Sequence, residues 1–203
     1  DLGRRLAGGE PRAHRSRGLF GRAGVGARRR RGRTGQALHR RRPLALGRRR
    51  RDLAARVPEQ GPAAIVHGDY RLDNCLLAPD GTIAAVLDWE LCTLGDPLAD
   101  VGLLLVYWTE PGDRHPALLD ASTTLEGFPT RAAVIERYAA ASGRDVSDVD
   151  YYVAFGYWKL ACILEGVYAR YKAGAMGDDG ADADGFGAVV DMLGQASLAS
   201  LDK

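Results

Sequence analysis

His67-Gly68-Asp69-Tyr70-Arg71-Leu72-Asp73-Asn74, followed by the apolar run Ile83-Ala84-Ala85-Val86-Leu87 and then Asp88-Trp89-Glu90, is the stretch whose reading decides the fold. Ile65-Val66 leads into it as a short strand, and Leu76-Leu77 and Ile83 to Leu87 read as two more strands joined by the turn Pro79-Asp80-Gly81. A hairpin built this way returns Asp88 to the neighbourhood of Asn74, which itself lies five residues after Asp69. An aspartate in a tight polar loop is, alone, more often a turn residue than a chemical group. The combination is what carries the reading, because carboxylates held close repel each other unless a cation sits between them.

That arrangement of carboxylate, amide and carboxylate suits Mg-dependent phosphoryl transfer. The transferred group needs positioning and charge neutralisation more than covalent help, with one carboxylate to meet the acceptor's hydroxyl proton and hard oxygens to hold Mg²⁺ against the phosphates of ATP. Asp69 is expected to be the base, and Asn74 and Asp88 the Mg²⁺ ligands. His67 is expected to hold the loop by hydrogen bonding, with a direct catalytic role as the alternative. Arg71 either neutralises phosphate or pairs with Asp73. Glu90 either faces substrate or forms a structural salt bridge.

The wording His-Gly-Asp-Tyr-Arg-Leu-Asp-Asn at 67–74, with Leu-Asp-Trp-Glu-Leu-Cys-Thr-Leu-Gly-Asp-Pro-Leu-Ala-Asp at 87–100, resembles the aminoglycoside phosphotransferase and choline kinase superfamily. It looks most like the phosphotransferase domains related to those fused to acyl-CoA dehydrogenases. The resemblance spans about Pro58 to Gly174 and implies an α+β, protein-kinase-like fold in which Asp69 is the catalytic base and Asn74 and Asp88 bind Mg²⁺. It also implies that Asp96 and Asp100 either brace the catalytic loop or merely cap a helix. Trp158, Lys159, Glu165, Tyr168 and Arg170 lie on a long helix that helps to form the acceptor pocket in this family. Most aromatic and apolar positions there, including Tyr151, Tyr152 and Tyr157, are expected to be core.

The remaining chain reads as helices. Asp96-Pro97 resembles an N-cap followed by proline at the first helical position, opening an apolar helix through Trp108. Thr130 to Ala141 forms another, with Thr130 as cap and Gly143 beyond its end. Ser147 and Asp150 suggest a capping box opening a long helix to about Ala173, stopped by Gly174. Met176 to Gly187, with Asp178, Asp179, Asp182 and Asp184, is expected to be a mobile, solvated loop, and Phe186 to Leu201 a last helix with Val189, Val190, Leu193 and Ala196 on one face. The expected carboxy-terminal lobe is thus mostly helical, with a small β-hairpin region at the catalytic loop.

Charge divides the 203 residues in two. Residues 1 to 51 contain 18 arginines against two acids, a formal +16, whereas 52 to 203 contain 10 basic and 24 acidic groups, a formal −14. The first segment is built largely of Arg, Gly, Ala and Leu and lacks the apolar surface to offset its ordering entropy, so it is expected to be disordered or weakly helical. Its GC-codon residues, the absence of lysine and isoleucine and the start at Asp1 favour an out-of-frame translation or fragment over a tail of no defined role, a nucleic-acid arm or an import presequence. Residues 52 to 203 are expected to form the folded domain.

Cys75, Cys92 and Cys162 are odd in number and far apart, and are expected to be buried free thiols in a reducing cytosol. No run is long enough to span a bilayer. The glycines Gly21, Gly24 and Gly26 are followed by arginines rather than a strand, and no lysine precedes Lys159, so the nucleotide-clamping amino-terminal lobe is not readable. The expectation is an ATP-dependent phosphotransferase acting on a small-molecule hydroxyl, cytoplasmic and impaired for want of that lobe. The partner expected is the hydroxyl substrate, not nucleic acid or membrane, and the sequence leaves the oligomeric state open. The alternative is a non-catalytic module, either a pseudokinase lobe or an Arg-tailed nucleic-acid binder.

Overall fold

The computed structural model describes residues 42–113, 122–174 and 183–202. Their elements, in chain order, are α1 (Arg42–Ala54), β1 (Ala64–Val66), β2 (Cys75–Leu77), β3 (Ile83–Val86), β4 (Thr93–Gly95), α2 (Leu98–Tyr107), α3 (Arg131–Ser142), α4 (Val149–Lys172) and α5 (Ala183–Leu201), with short 3₁₀ turns at 72–74, 89–91 and 122–124. The mostly helical α+β architecture with its small hairpin is the one the sequence predicts.

Two antiparallel pairs make up the β-structure. β2 pairs with β3 through Cys75 opposite Val86 and Leu76 opposite Ala85, and β1 pairs with β4 through Ile65 opposite Leu94. The predicted turn closes the hairpin: Thr82 donates its amide and hydroxyl to Asp80 Oδ1 at 3.0 and 2.7 Å, and Gly81 supplies a φ of +82° that a side chain disfavours.

Helix starts and stops follow the sequence in most places. Asp96 Oδ1 accepts from Leu98 N–H at 2.9 Å, opening α2, and Thr130 Oγ1 accepts from Ala133 N–H at 3.2 Å, opening α3. Gly143 and Gly174 take the left-handed conformation after α3 and α4. The expected Ser147–Asp150 capping box does not open α4. Asp148 occupies the cap position without a side-chain bond, and Ser147 N–H instead closes an Asx turn on Asp145 Oδ1 at 2.9 Å. The expected loop at 176–187 lies mainly outside the described residues, and α5 begins three residues earlier than predicted, at Ala183.

The largest departure is at the amino-terminal side. The expected division at 51/52 falls inside α1, and of the two expectations for the arginine-rich segment, disorder or weak helicity, residues 42–51 take the helical one. Leu46 and Leu53, seven residues apart, share one face and are buried, whereas Arg48, Arg50 and Arg51 point to solvent. Tertiary burial of two leucines overrides the segment's composition. Residues 1–41 of that segment lie outside the described residues.

Leu46 joins Leu103, Val106, Leu160, Ala161, Val190 and Leu193 in a core between α1, α2, α4 and α5. A second cluster, Leu98, Val101, Leu105, Val149 and Tyr152, fills the space between α2 and α4, with Val134, Ile135 and Tyr138 of α3 packed against it. The helices α2 and α4 cross at glycine. A Cβ on Gly102 would lie 2.4 Å from the backbone of Tyr152, and one on Gly156 3.2 Å from Val106. This close approach sets where α2 and α4 present polar side chains to the loop at 67–74.

Candidate active site

The loop between β1 and β2 is gripped from behind. Asp100, in the first turn of α2, accepts His67 N–H at 2.6 Å through Oδ2 and Gly68 N–H at 2.9 Å through Oδ1. Of the two expectations for this residue, bracing the loop is the one its side chain fulfils. Asp96 does more than cap α2. It is buried, and its Oδ2 also accepts the Tyr152 hydroxyl at 2.9 Å, which ties the start of α2 to α4. Gly68 must be glycine: its φ is +85°, and a Cβ would lie 2.7 Å from the Leu91 carbonyl oxygen.

His67 is buried with both ring nitrogens engaged. Nε2 donates to the Leu87 carbonyl at 2.7 Å and Nδ1 accepts from Asp69 N–H at 3.2 Å, a pattern that places the ring hydrogen on Nε2. The ring also packs on Trp89 at 4.7 Å between centroids, and Trp89 Nε1 donates to Val86 O at 2.7 Å. His67 thus spans from the Asp69 backbone to the residue before Asp88, which is the loop-holding role.

Asn74 is buried and points its amide at Asp69. Nδ2 donates to the Asp69 carbonyl at 2.8 Å and to its Oδ2 at 3.2 Å. The hairpin then brings Asp88 to the same end, through Leu87 N–H donating to Asn74 O at 2.7 Å. Asp88 itself has φ 65° and ψ 55° and is the sole non-glycine residue with positive φ among the described residues. A left-handed aspartate that is neither in a hairpin turn nor a helix C-cap is a conformation the surrounding structure must enforce.

Arg71 lies between two carboxylates. Its Nη1 bonds Asp73 Oδ2 at 3.0 Å, whereas its Nε approaches Asp69 Oδ2 at 3.3 Å as an ion pair without hydrogen-bond geometry, so that buried Nε keeps an unmet donor. The guanidinium stacks 5.5 Å above the Tyr107 ring. Burial, then the charge of neighbouring Asp69, push the Tyr107 phenol above its ordinary range. Burial also raises Tyr70, with Cys75 adding to the shift. Glu90 is exposed on the 89–91 turn.

The long-helix residues separate by role. Trp158 Nε1 donates to Leu46 O at 3.1 Å and anchors α1, and the Tyr168 ring lies under the Lys172 ammonium, 5.7 Å away. Tyr151 packs edge-on against buried Tyr152, and Tyr157 lies against the first core cluster, as expected of core positions. Lys159 reaches the loop, donating its ammonium to the Gly68 carbonyl. Sequence reasoning did not single it out from that group, although a lone lysine in an apolar helical run was the available signal. The Tyr107 platform was likewise missed, as it lies well outside the motif.

The oxygen donors fit Mg²⁺. With its amide nitrogen turned to Asp69, Asn74 has an oxygen that could serve as a ligand, and the exposed Asp88 lies at the same hairpin end; both are hard donors of the kind this ion takes. Among the described residues no group of three or more His, Cys, Asp or Glu forms a self-sufficient metal cluster. A small cleft of about 30 Å³ beside Arg71 and Tyr107 adjoins the loop, whereas a larger one of about 730 Å³, lined by Glu59, Asp96 and Asp148 among others, contains none of Asp69, Asn74 or Asp88.

Residues 2–150 match the model of the phosphotransferase enzyme family. The chain belongs to this family. The matching region includes the arginine-rich segment as well as the loop and hairpin. Similar proteins include mouse acyl-CoA dehydrogenase family member 10, 38% identical over 127 residues that cover 60% of this chain and 12% of that protein. Human acyl-CoA dehydrogenase family member 11 is 34% identical over 115 residues, 54% of this chain and 14% of its own length. The solved structure of a candidate aminoglycoside phosphotransferase from Ralstonia eutropha superposes with a TM-score of 0.62 at 28% identity, over 77% of this chain and 48% of that one. The chain therefore spans about half of this structural neighbour and a small part of the acyl-CoA dehydrogenase family relatives, and as a phosphotransferase family member it has the fold its motif implied.

All three cysteines are free, but the expected burial holds only in part. Cys75 and Cys162 are half-buried and Cys92 is exposed, because the 89–95 segment runs along the surface. No helix among the described residues is long and apolar enough to cross a membrane.

Proposed function

We propose that this family member transfers a phosphoryl group from ATP to the hydroxyl of a small molecule, with Asp69 as base and Asn74 and Asp88 holding Mg²⁺. The observation that carries this reading is the Asn74 amide, whose nitrogen fixes both the backbone and the carboxylate of Asp69 so that its oxygen is not committed to Asp69, while the Leu87 N–H bond to Asn74 O brings the backbone just before Asp88 to the same place. Asn74 and Arg71 both address Asp69 Oδ2, which leaves Oδ1 to accept the hydroxyl proton. Arg71, with its unmet Nε donor, is placed to offset phosphate charge when that group arrives. Mg²⁺, when bound, neutralises phosphate charge and orients the leaving group.

Turnover by these 203 residues is proposed to be weak. Among the described residues, neither two-stranded sheet carries a lysine, and no glycine-rich hairpin covers the Asn74–Asp88 end, so the half of the site that clamps the nucleotide is not supplied by them. A cytoplasmic location belongs to the same proposal. Transfer of labelled γ-phosphate from ATP to a panel of small alcohols tests it. Transfer that drops at least about 100-fold in Asp69→Asn supports the reading, and transfer that survives that change overturns it.

A further inference from the structure

Taking the proposed role of Asp69 as its starting point, we infer that Lys159 is a positioning residue, whose ammonium holds the Gly68–Asp69 peptide in register and so aims the Asp69 carboxylate. The Gly68 residue is seized on both sides. Asp100 Oδ1 accepts its N–H at 2.9 Å and Lys159 Nζ donates to its carbonyl, the carbonyl whose peptide nitrogen is Asp69 N. That nitrogen donates in turn to His67 Nδ1 at 3.2 Å. Every polar atom of the peptide preceding the base therefore has one defined partner.

The two grips come from different helices, Asp100 from α2 and Lys159 from the middle of α4. Gly102 and Gly156, two residues after Asp100 and three before Lys159, are where the helices touch backbone to backbone. The close crossing brings a negative group and a positive group to opposite ends of the same glycine. Lys159 is half-buried. A cation in such a setting bonds a carbonyl more strongly than it would in water, since less solvent competes for it. Gly68, at φ +85°, has no side chain to fix its peptide plane, so the external bonds supply the rigidity the residue lacks.

Amide hydrogen exchange on the full chain, read residue by residue by NMR, tests this without requiring turnover. In Lys159→Met, the Gly68 and Asp69 amides are expected to exchange about tenfold faster, the loss of one charge-assisted bond, while α2 and α4 amides keep their rates. Lys159→Arg, which retains a donor, should return most of the protection. Lys159→Ala, which also lacks a donor, serves the same comparison if the methionine variant does not fold. Unchanged Gly68 and Asp69 rates in Lys159→Met overturn the inference. So does a general rise through α4, or an arginine variant as fast as the methionine one, since either marks a packing role. Loss of phosphoryl transfer in Asp69→Asn speaks separately to the function.

Discussion

Asn74 and Asp69 are joined twice, the Asn74 amide donating to the Asp69 carbonyl at 2.8 Å and to its carboxylate at 3.2 Å. The residue proposed to hold the cation therefore also holds the proposed base, and neither moves without the other. Asn74→Ala leaves the Asp69 carbonyl without its partner in a part-buried site. It is expected to lower stability by about 1–3 kcal/mol by urea denaturation. Asn74→Asp, which cannot donate while ionised, should lose a similar amount, whereas an exposed control such as Asp73→Asn should not.

Asp100 is the acceptor for two consecutive backbone N–H groups. Asp100→Ala orphans both, and a loss of about 3 kcal/mol is expected. Asp100→Asn keeps one acceptor oxygen and should lose about half as much. Denaturant midpoints for the two variants check the order.

Gly102 has no room for a methyl group, since its Cβ would meet the Tyr152 backbone at 2.4 Å. Overpacking at a helix crossing costs about 1–3 kcal/mol or more, and here rigid backbone rather than a flexible side chain is in the way. Gly102→Ala should sit at the upper end of that range, measurable as a lowered thermal midpoint. Gly112→Ala, with open space around it, isolates the backbone contribution of its positive φ.

Helix α1 belongs to the folded unit through Leu46 and Leu53. Leu46→Ala should destabilise the whole domain by about 2–5 kcal/mol, as a core leucine does, while exposed Arg48→Ala should stay within about 0.5 kcal/mol. A single cooperative transition for both variants would confirm that α1 unfolds with the rest.

Tyr152 gives the fold an alkaline limit. Burial first, and then its bond to Asp96, raise the phenol well above its ordinary value of 10.0. The folded chain therefore keeps a proton that the unfolded chain releases, so this stabilisation is complete below pH 10 and declines as pH rises beyond it. Urea midpoints measured from about pH 9 to pH 11 should fall, and Tyr152→Phe should flatten that fall.

The motif, the hairpin and four helix boundaries were legible because each has a local cause: the Pro79-Asp80-Gly81 turn, the Asp96 and Thr130 caps, and the left-handed glycines at 143 and 174. Helix α1 was legible only as a weak helical tendency, without its bounds or its place in the core. Its two leucines stand among arginines, and only the faces of α4 and α5, distant in sequence, make their burial worthwhile. The Lys159–Gly68 bond joins residues 91 apart, and the Arg71–Tyr107 stack joins a loop to the end of a helix. Ser147 misled for the opposite reason, since Asp145 offered its amide a nearer acceptor than any capping box.

Asn74 and Asp88 are proposed as the metal-holding end of a nucleotide site. Titration of the ¹⁵N-labelled chain with Mg²⁺ and ATP tests it most directly. Weak saturable binding is expected, on the order of millimolar or about −4 kcal/mol, with the largest shifts at Asn74, Leu87, Asp88 and Trp89. Those shifts should vanish in Asp88→Ala or on chelation of the metal. Shifts that persist in Asp88→Ala, that do not need Mg²⁺, or that centre away from the Asn74–Asp88 end would contradict it.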